Sequence, residues 1–140
     1  MLAAWHHLGG ALCVVDAGTA LTLDLVSAAG AHEGGFIVPG AELMHRSLGL
    51  GTGKIRVDGL SAPLVTPGGD TAACVNAGVW LATKGLLEAS LAAYPAHRFV
   101  LTGGGAASVS ALVPGMEHQP DLVMEGLRLW LATQLDDRRP

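Results

Sequence analysis

The stretch that decides the fold is LCVVDAGTALTLDLV, residues 12–26. Its first part, Leu12 to Val15, is a continuous apolar run, which is typical of a strand buried on both faces. From Leu21 to Val26 leucines alternate with other residues, and this alternation predicts a half-buried strand. Because only small residues lie between the two parts, the stretch is expected to form a tight β-hairpin.

The turn of this hairpin carries groups that suit a phosphate and its counter-cation. Asp16 ends the buried strand, where an acid is costly unless it is paired or holds a cation. Gly18 lets a ligand approach the backbone closely, and Thr19 adds a hydroxyl beside exposed turn amides. In the alternative interpretation, Asp16 and Thr19 only bond their own turn. The hairpin residues leave both interpretations open.

Composition indicates one domain with a partly covered surface. The 140 residues are enough for a single domain, 1–140, with a real core. Charged residues make up 14% of the chain, against roughly 25% in a typical soluble domain. This low value predicts obligate association or poor solubility.

No apolar stretch approaches the about 20 residues of a membrane span, and the net charge of −4 argues against a nucleic-acid partner. We therefore expect neither a membrane nor a nucleic-acid partner.

Cysteines and histidines give no sign of a metal site. Cys13 and Cys74 lie in apolar runs without C-x-x-C spacing, which predicts two buried, reduced thiols of a cytosolic protein. The chain does not open with a positively charged secretory signal, which also favours a cytoplasmic location. The six histidines form no ligand pattern. We expect surface or ordinary packing roles for the isolated ones, such as His45.

A third strand, a helix and a loop are expected after the hairpin. Ala31 to Val38 reads as the strand, in which Gly34 and Gly35 predict a bulge or the close approach of another backbone. Pro39-Gly40 ends it, and Ala41 to Leu48 has helical spacing. Gly49 to Lys54, GLGTGK, fails the P-loop pattern and is expected to be a flexible loop.

A long helix is predicted from Asp70 or Thr71 to about Ala93. Its two internal glycines, Gly78 and Gly85, each cost about 1 kcal/mol relative to alanine. They therefore predict close helix-to-helix contact, either within the fold or across a dimer.

The remaining segments predict a strand, a glycine-rich turn and a final helix. Arg98 to Leu101 is the strand, and Thr102 to Ala106 is the turn, which would admit a nucleotide near its backbone. Compared with the G-x-G-x-x-G motif of dinucleotide-binding proteins, the turn has Ser108 where the third glycine should be, and the sequence shows no clear βαβ unit around it. The final helix is expected to be capped by Asp121. It aligns Val123, Leu127, Trp130 and Leu131 along one face.

Several motifs in this order resemble type III pantothenate kinase, the Bvg accessory factor family. They are DAGTALTLDLV from Asp16, GGFIVPG from Gly34, SL at Ser47, DTAACVNAG from Asp70 and TGGGA from Thr102. The resemblance implies an α/β fold, the ribonuclease-H-like or actin-like ATPase half-domain. In that half-domain three antiparallel strands are followed by helices and a further strand. It also implies that this chain is the C-terminal half of such a kinase, with the N-terminal half absent.

The resemblance further implies transfer of the γ-phosphate of Mg-ATP to the primary hydroxyl of pantothenate, the first committed step toward coenzyme A. It implies a homodimer with its site near the interface. Carried over motif by motif, the cation site for potassium or ammonium is Asp16, the ATP contacts are Gly18, Thr19, Gly103 and Gly104, and the pantothenate contact is Thr71.

The catalytic base of the family is not found in this sequence. The family carries that Asp in a Gly-x-Asp-Arg motif ahead of the hairpin, and its N-terminal half has an Asp-x-Gly-Asn-Thr phosphate loop. Neither matches Met1 to Ala11, so the base is expected upstream of Met1 and no residue here is assigned as catalytic. Asp24 alternates with leucines and is interpreted as an outward or inter-strand residue.

Three alternatives remain open. The first is a non-catalytic half-kinase that keeps nucleotide or partner contacts without turnover. The second is another phosphotransferase of the same architecture, such as half of an acetate or sugar kinase. A dinucleotide-binding oxidoreductase ranks last, because it would need a parallel βαβ unit around Gly103.

Overall fold

The structure is a computed structural model that describes residues 1–51 and 59–136. Within these residues the strands are β1 Leu12–Ala17, β2 Ala20–Val26, β3 His32–Pro39, β4 Arg98–Thr102 and β5 Glu117–His118. The helices are α1 Leu2–Leu8, α2 Ala41–Gly51, α3 Thr71–Ala93, α4 Ala106–Leu112 and α5 Leu122–Asp136.

The strands form one mixed sheet of five strands in the order β3-β2-β1-β4-β5. β1, β2 and β3 are antiparallel neighbours, whereas β4 lies parallel to β1 and β5 lies parallel to β4. The mixed α/β class, the hairpin and the three antiparallel strands are therefore confirmed. The sequence patterns missed β5, which is only two residues long.

Helices cover both faces of the sheet. On one face, α3 and α4 pack through Leu87 and Val109 onto inward residues such as Val15 of β1. On the other face, α1 and α5 pack through Ala4 and Leu122 onto a second cluster that includes Val14. β1 is buried almost throughout and β2 alternates, as the hairpin sequence predicts.

The glycine pair of β3 behaves as expected. The pairing of β2 with β3 shifts register between Leu25 and Val26, opposite Gly34, so the bulge is confirmed. A Cβ added at Gly35 would lie 3.1 Å from the Leu23 carbonyl carbon. Gly35 thus permits the close approach of the neighbouring backbone.

Two predictions about side-chain burial and loop position are wrong. Cys13 is buried, but Cys74 is exposed and its thiol donates to the Gly68 carbonyl oxygen at 3.3 Å. Helix α2 continues to Gly51, so the start of the expected flexible loop is helical. The rest of that loop lies outside the described residues.

α3 begins and ends where the sequence predicts. Asp70 is its N-cap, and the Asp70 carboxylate accepts a hydrogen bond from the Ala73 amide at 2.9 Å. Gly78 and Gly85 are exposed, and a Cβ added at either would meet no described atom within 4 Å. The close contact that these glycines predict is therefore not made within the described part of the fold. The homodimer stays a prediction.

No helix among the described residues combines the length and the apolar character needed to cross a membrane.

Candidate functional site

The hairpin turn and the glycine-rich turn meet at one edge of the sheet. β1 and β4 are parallel neighbours, so their carboxyl ends lie side by side. The Gly105 amide donates to the Ala17 carbonyl oxygen at 2.8 Å, and the Gly40 amide donates to the Thr19 carbonyl oxygen at 2.8 Å. Three chain segments that are distant in sequence are thereby fixed around the turn.

Gly103 is the point of closest contact between the two turns. Its φ is +92°, a conformation that favours glycine. A Cβ added there would lie 2.6 Å from the Ala17 carbonyl oxygen and would overlap the Asp16 carboxylate. The backbone of Gly103 therefore packs directly on the predicted cation-binding residue.

A cavity of about 590 Å³ opens beside these turns, which we call the hairpin cavity. Three of the predicted ATP contacts line it, namely Gly18, Thr19 and Gly104. The volume falls in the range of roughly 300–1,000 Å³ that is typical of small-molecule sites. Gly103 and Asp16 are not among the lining residues, and they contact each other beside the turn.

The hairpin cavity also contains two charged residues that the sequence analysis did not single out. Glu42 and Arg46 of α2 both line it, and both are exposed. Residues four apart lie on one face of a helix, so their spacing was the available signal. Among the described residues that line the cavity, Arg46 is the one cation, which places a positive charge where an anionic ligand would lie.

Asp16 has unused hydrogen-bonding capacity. Its side chain is half-buried, and within residues 1–51 and 59–136 it has neither a hydrogen bond nor an ion pair. Its cross-strand neighbours are Thr22 and Thr102, which share its face of the sheet. An unpaired, half-buried carboxylate with hydroxyl neighbours suits a cation. In the described part of the chain, three or more His, Cys, Asp or Glu residues never converge as a metal site would require.

A second cavity of about 430 Å³ adjoins the first and is here called the α3 cavity. Its lining includes Asp70, Asn76 and Ser61, and Ser61 also lines the hairpin cavity. Thr71, the predicted pantothenate contact, is exposed beside the α3 cavity but does not line it.

Ser61 is held firmly between the two cavities. The Trp80 indole donates to the Ser61 carbonyl oxygen at 2.9 Å, and the Ser61 amide donates to the Asn76 side-chain oxygen at 2.9 Å. Both partners belong to α3. The helix thus fixes the segment that separates the cavities.

His45 is a candidate that the sequence analysis placed in an ordinary role. It lines the α3 cavity and is only 2% exposed, and its Nδ1 has no hydrogen-bond partner among the residues that the structure describes. A buried polar atom without a partner costs about 1–3 kcal/mol. His45 follows Ala41 by four residues, so helical spacing predicted a shared face but not a buried one.

The setting of the glycine-rich turn differs from expectation. β4, α4 and β5 form a parallel βαβ unit around Gly103, which the sequence did not reveal. The third glycine position still holds Ser108, and α4 is only seven residues long. The motif therefore departs from the dinucleotide pattern even in this setting.

These observations define a mixed α/β protein in which a β-hairpin turn and a glycine-rich turn border a ligand-sized cavity. The family model for type III pantothenate kinase matches residues 1–93. The chain belongs to this family.

Comparison with individual proteins shows which part of the family the chain represents. It is 41% identical over 123 residues to a type III pantothenate kinase of Halorhodospira halophila, covering 84% of this chain and 48% of the relative. It is 42% identical over 135 residues to the one from Pseudomonas savastanoi pv. phaseolicola, covering 90% and 54%. The chain spans about half the length of these curated relatives, and it matches their C-terminal part.

A solved structure has the same fold. A Campylobacter jejuni protein described as a Baf family transcriptional activator superposes with a TM-score of 0.63 at 23% identity. The match covers 96% of this chain and 63% of that one. At this identity the likeness concerns the fold alone.

Proposed function

We propose that this chain is the ATP- and cation-binding part of an enzyme that transfers the γ-phosphate of ATP to the primary hydroxyl of pantothenate. The observation that supports it most is the hairpin cavity, where Gly18, Thr19 and Gly104 come together beside Arg46. Phosphoryl transfer depends mostly on positioning and charge stabilisation. Turn amides, a hydroxyl and a cationic side chain suit that task.

Within this proposal the ATP contacts lie on both turns. The Thr19 hydroxyl and the Gly18 backbone would meet the phosphates, while Gly104 leaves room for the rest of the nucleotide. Gly103 would support the site indirectly, because it packs on Ala17, which lines the hairpin cavity. ATP is expected as its magnesium complex.

Asp16 would hold the monovalent cation, potassium or ammonium. Its carboxylate has no other partner among the described residues, so the residues present fit such an ion. A bound cation would offset part of the negative charge that collects near the phosphates.

Pantothenate is proposed to lie at the start of α3. Thr71 is exposed there, and His45 lines the α3 cavity beside it with an Nδ1 that has no partner in the described part of the chain. Pantothenate carries a carboxylate, hydroxyls and an amide, so a ring nitrogen without a partner is a suitable contact. Because Ser61 borders both cavities, the two substrates would be neighbours.

The base that deprotonates or orients the pantothenate hydroxyl is not assigned to a described residue. Asp24 is not suited to the role, because its carboxylate pairs with the His32 ring at 3.1 Å. The base is proposed to come from the N-terminal half that the longer relatives possess. A non-catalytic nucleotide-binding role is the second candidate, because no described residue is assigned as the base.

Calorimetric titration of the full chain with Mg-ATP, in potassium and then in sodium buffer, tests the binding part of this proposal. Thr19→Val should weaken binding about tenfold, whereas the matched Thr133→Val, on α5 and away from both cavities, should leave it unchanged. Equal affinities for the two variants would contradict the assignment of the hairpin cavity.

Pantothenate-dependent ADP release tests the catalytic part. The chain should be inactive alone and become active when the N-terminal half of the Halorhodospira halophila relative is added. Binding of ATP without turnover in that mixture would favour the non-catalytic role, and turnover with acetate or sugars only would favour another phosphotransferase.

A further inference from the structure

Packing alone does not account for the His45 ring. Among the described residues, its Nδ1 is the only buried side-chain nitrogen or oxygen without a hydrogen-bond partner. The residue is 2% exposed and lines the α3 cavity. Buried polar atoms in folded proteins are almost always hydrogen-bonded. A ring nitrogen without a partner at a cavity wall therefore indicates a ligand that supplies the partner.

Other polar groups of the α3 cavity are hydrogen-bond donors. Asn76 accepts a hydrogen bond from the Ser61 amide through its side-chain oxygen, and its NH2 group has no described partner. Ala72, which also lines the cavity, lies in the first turn of α3. The first backbone amides of a helix have no partner within it, and they favour a negatively charged group. These donors suit a carboxylate, which only accepts hydrogen bonds.

The charges that line the α3 cavity do not balance a carboxylate. Asp70 is in the lining and carries a negative charge, while its carboxylate caps the helix at the Ala73 amide. The described lining contains neither lysine nor arginine, and β2 and β3, which also pack against α2, add no charged residue to it. Glu42 and Arg46, the charged neighbours on α2, line the hairpin cavity instead. A carboxylate that entered the α3 cavity would lack a fixed cation, and burial of an unpaired charge is costly.

His45 can supply the missing positive charge. Histidine is the side chain that ordinarily gains and loses a proton between pH 5 and 8. Both nitrogens of the protonated ring are donors, so Nδ1 would donate to the ligand while the ring balanced its charge. We propose that the α3 cavity binds a small carboxylate ligand and that His45 takes up a proton from solvent as this ligand binds.

This inference deepens the proposed function, on which it rests for the identity of the ligand. Pantothenate has a primary hydroxyl at one end and a carboxylate at the other. The hydroxyl that receives the phosphate has to reach the hairpin cavity, and Ser61 lines both cavities. The carboxylate would then lie in the α3 cavity, away from the ATP phosphates. His45 would select the ligand by its charged end.

Calorimetric titration of the full chain with pantothenate, and with the neutral alcohol that replaces its carboxylate, tests the inference. Phosphate and Tris buffers differ in their heats of ionisation, so a comparison of the two counts the protons that binding takes up. Pantothenate should bind with proton uptake near pH 7, and the alcohol should bind without it. Because the bound state holds the extra proton, the affinity for pantothenate should fall about tenfold from pH 6 to pH 8.5. The affinity for the alcohol should stay constant.

His45→Gln keeps an amide donor but cannot take up a proton. At pH 6 it should weaken pantothenate binding about tenfold, and it should abolish both the proton uptake and the pH dependence. Binding of the alcohol should be unchanged. The matched control is His97→Gln, because the His97 side chain is also largely buried, at 15% exposed, and lines neither cavity. Circular dichroism establishes that each variant is folded, and the proton count on the wild-type chain needs no variant.

Pantothenate binding without proton uptake would overturn the inference and leave the proposed function standing. Equal loss of the pH dependence in His45→Gln and His97→Gln would also overturn it, since the proton would then bind elsewhere. If the wild-type chain bound neither pantothenate nor the alcohol, the placement of pantothenate in the proposed function would fail with the inference. The titration with Mg-ATP is separate and would still report on the hairpin cavity.

Discussion

Replacement of Gly103 by alanine should destabilise the protein through the junction of its two turns. The residue has a φ of +92°, and an alanine Cβ would lie 2.6 Å from the Ala17 carbonyl oxygen and 2.8 Å from the Ala17 carbonyl carbon. It would also overlap the Asp16 carboxylate. Because β1 and β4 are paired along their length, neither turn can move away without breaking ladder hydrogen bonds.

Two contributions determine how much the Gly103→Ala substitution lowers the free energy of unfolding. A non-glycine residue in the left-handed region costs about 1–2 kcal/mol. Overpacking against a fixed backbone costs about 1–3 kcal/mol more. The free energy of unfolding should therefore fall by about 3 kcal/mol, which lowers the melting temperature of a domain of this size by about 10 °C.

Urea unfolding followed by circular dichroism measures the effect, with Gly104→Ala as the matched control. Gly104 is the next residue in the same turn, its φ is not positive, and an added Cβ would meet no described atom within 4 Å. We expect Gly104→Ala to change the stability by less than about 0.5 kcal/mol. If Gly103→Ala unfolded at the same urea concentration as Gly104→Ala, the packing of the two turns described above would be wrong.

Burial raises the pKa of the Cys13 thiol to about 12, so a native sample at pH 8 should show one fast-reacting thiol, Cys74, by colorimetric titration. Two fast thiols would contradict the burial of β1. The pKa of Glu117 lies below its usual value of 4.5, mainly because Gln119 donates a hydrogen bond to its carboxylate and to a smaller extent because the Arg98 guanidinium is close. The ionised Glu117 carboxylate therefore stabilises the folded state above pH 4.5, and this contribution is lost as the pH falls. On acidification, the melting temperature of Gln119→Leu should fall less than that of the wild-type chain. Trp80→Phe removes the indole hydrogen bond to the Ser61 carbonyl oxygen. In urea unfolding, the free energy of unfolding should fall by about 1 kcal/mol. An unchanged free energy would mean that this bond does not hold the segment between the cavities.

Local patterns predicted the parts of the fold that neighbouring residues determine. The hairpin at residues 12–26 follows from alternation and small turn residues, and the bulge follows from the glycine pair opposite Leu25. The parallel pairing of β4 with β1 joins segments more than 80 residues apart, which no local pattern reports. β5 was not predicted, because a strand of two residues is too short to show an alternating pattern.

In the candidate site too, local sequence patterns identified some residues and missed others. Gly18, Thr19 and Gly104 could be found because glycine and threonine in turns mark backbone exposure, and the structure brings them to one cavity. His45 could not, because helical spacing gives the face of a residue but not what that face meets. The exposure of Cys74 was missed for a related reason, since an apolar run on a long helix predicts burial only if something covers every side.

Helix α5 shows why hydrophobic periodicity and charge content answer different questions. The spacing of Val123, Leu127 and Trp130 places them on one face, and a single amphipathic helix would turn that face to the core. The sheet instead takes the opposite face, through Leu122 and Leu129, which share a buried cluster with Ala3 and Ala4 of α1. Periodicity cannot choose between two apolar faces. A charged fraction of 14% does not depend on orientation, and the prediction that some apolar surface is covered from outside the domain stays a prediction. The exposed apolar side chains of α5 are the described surface to which that prediction applies.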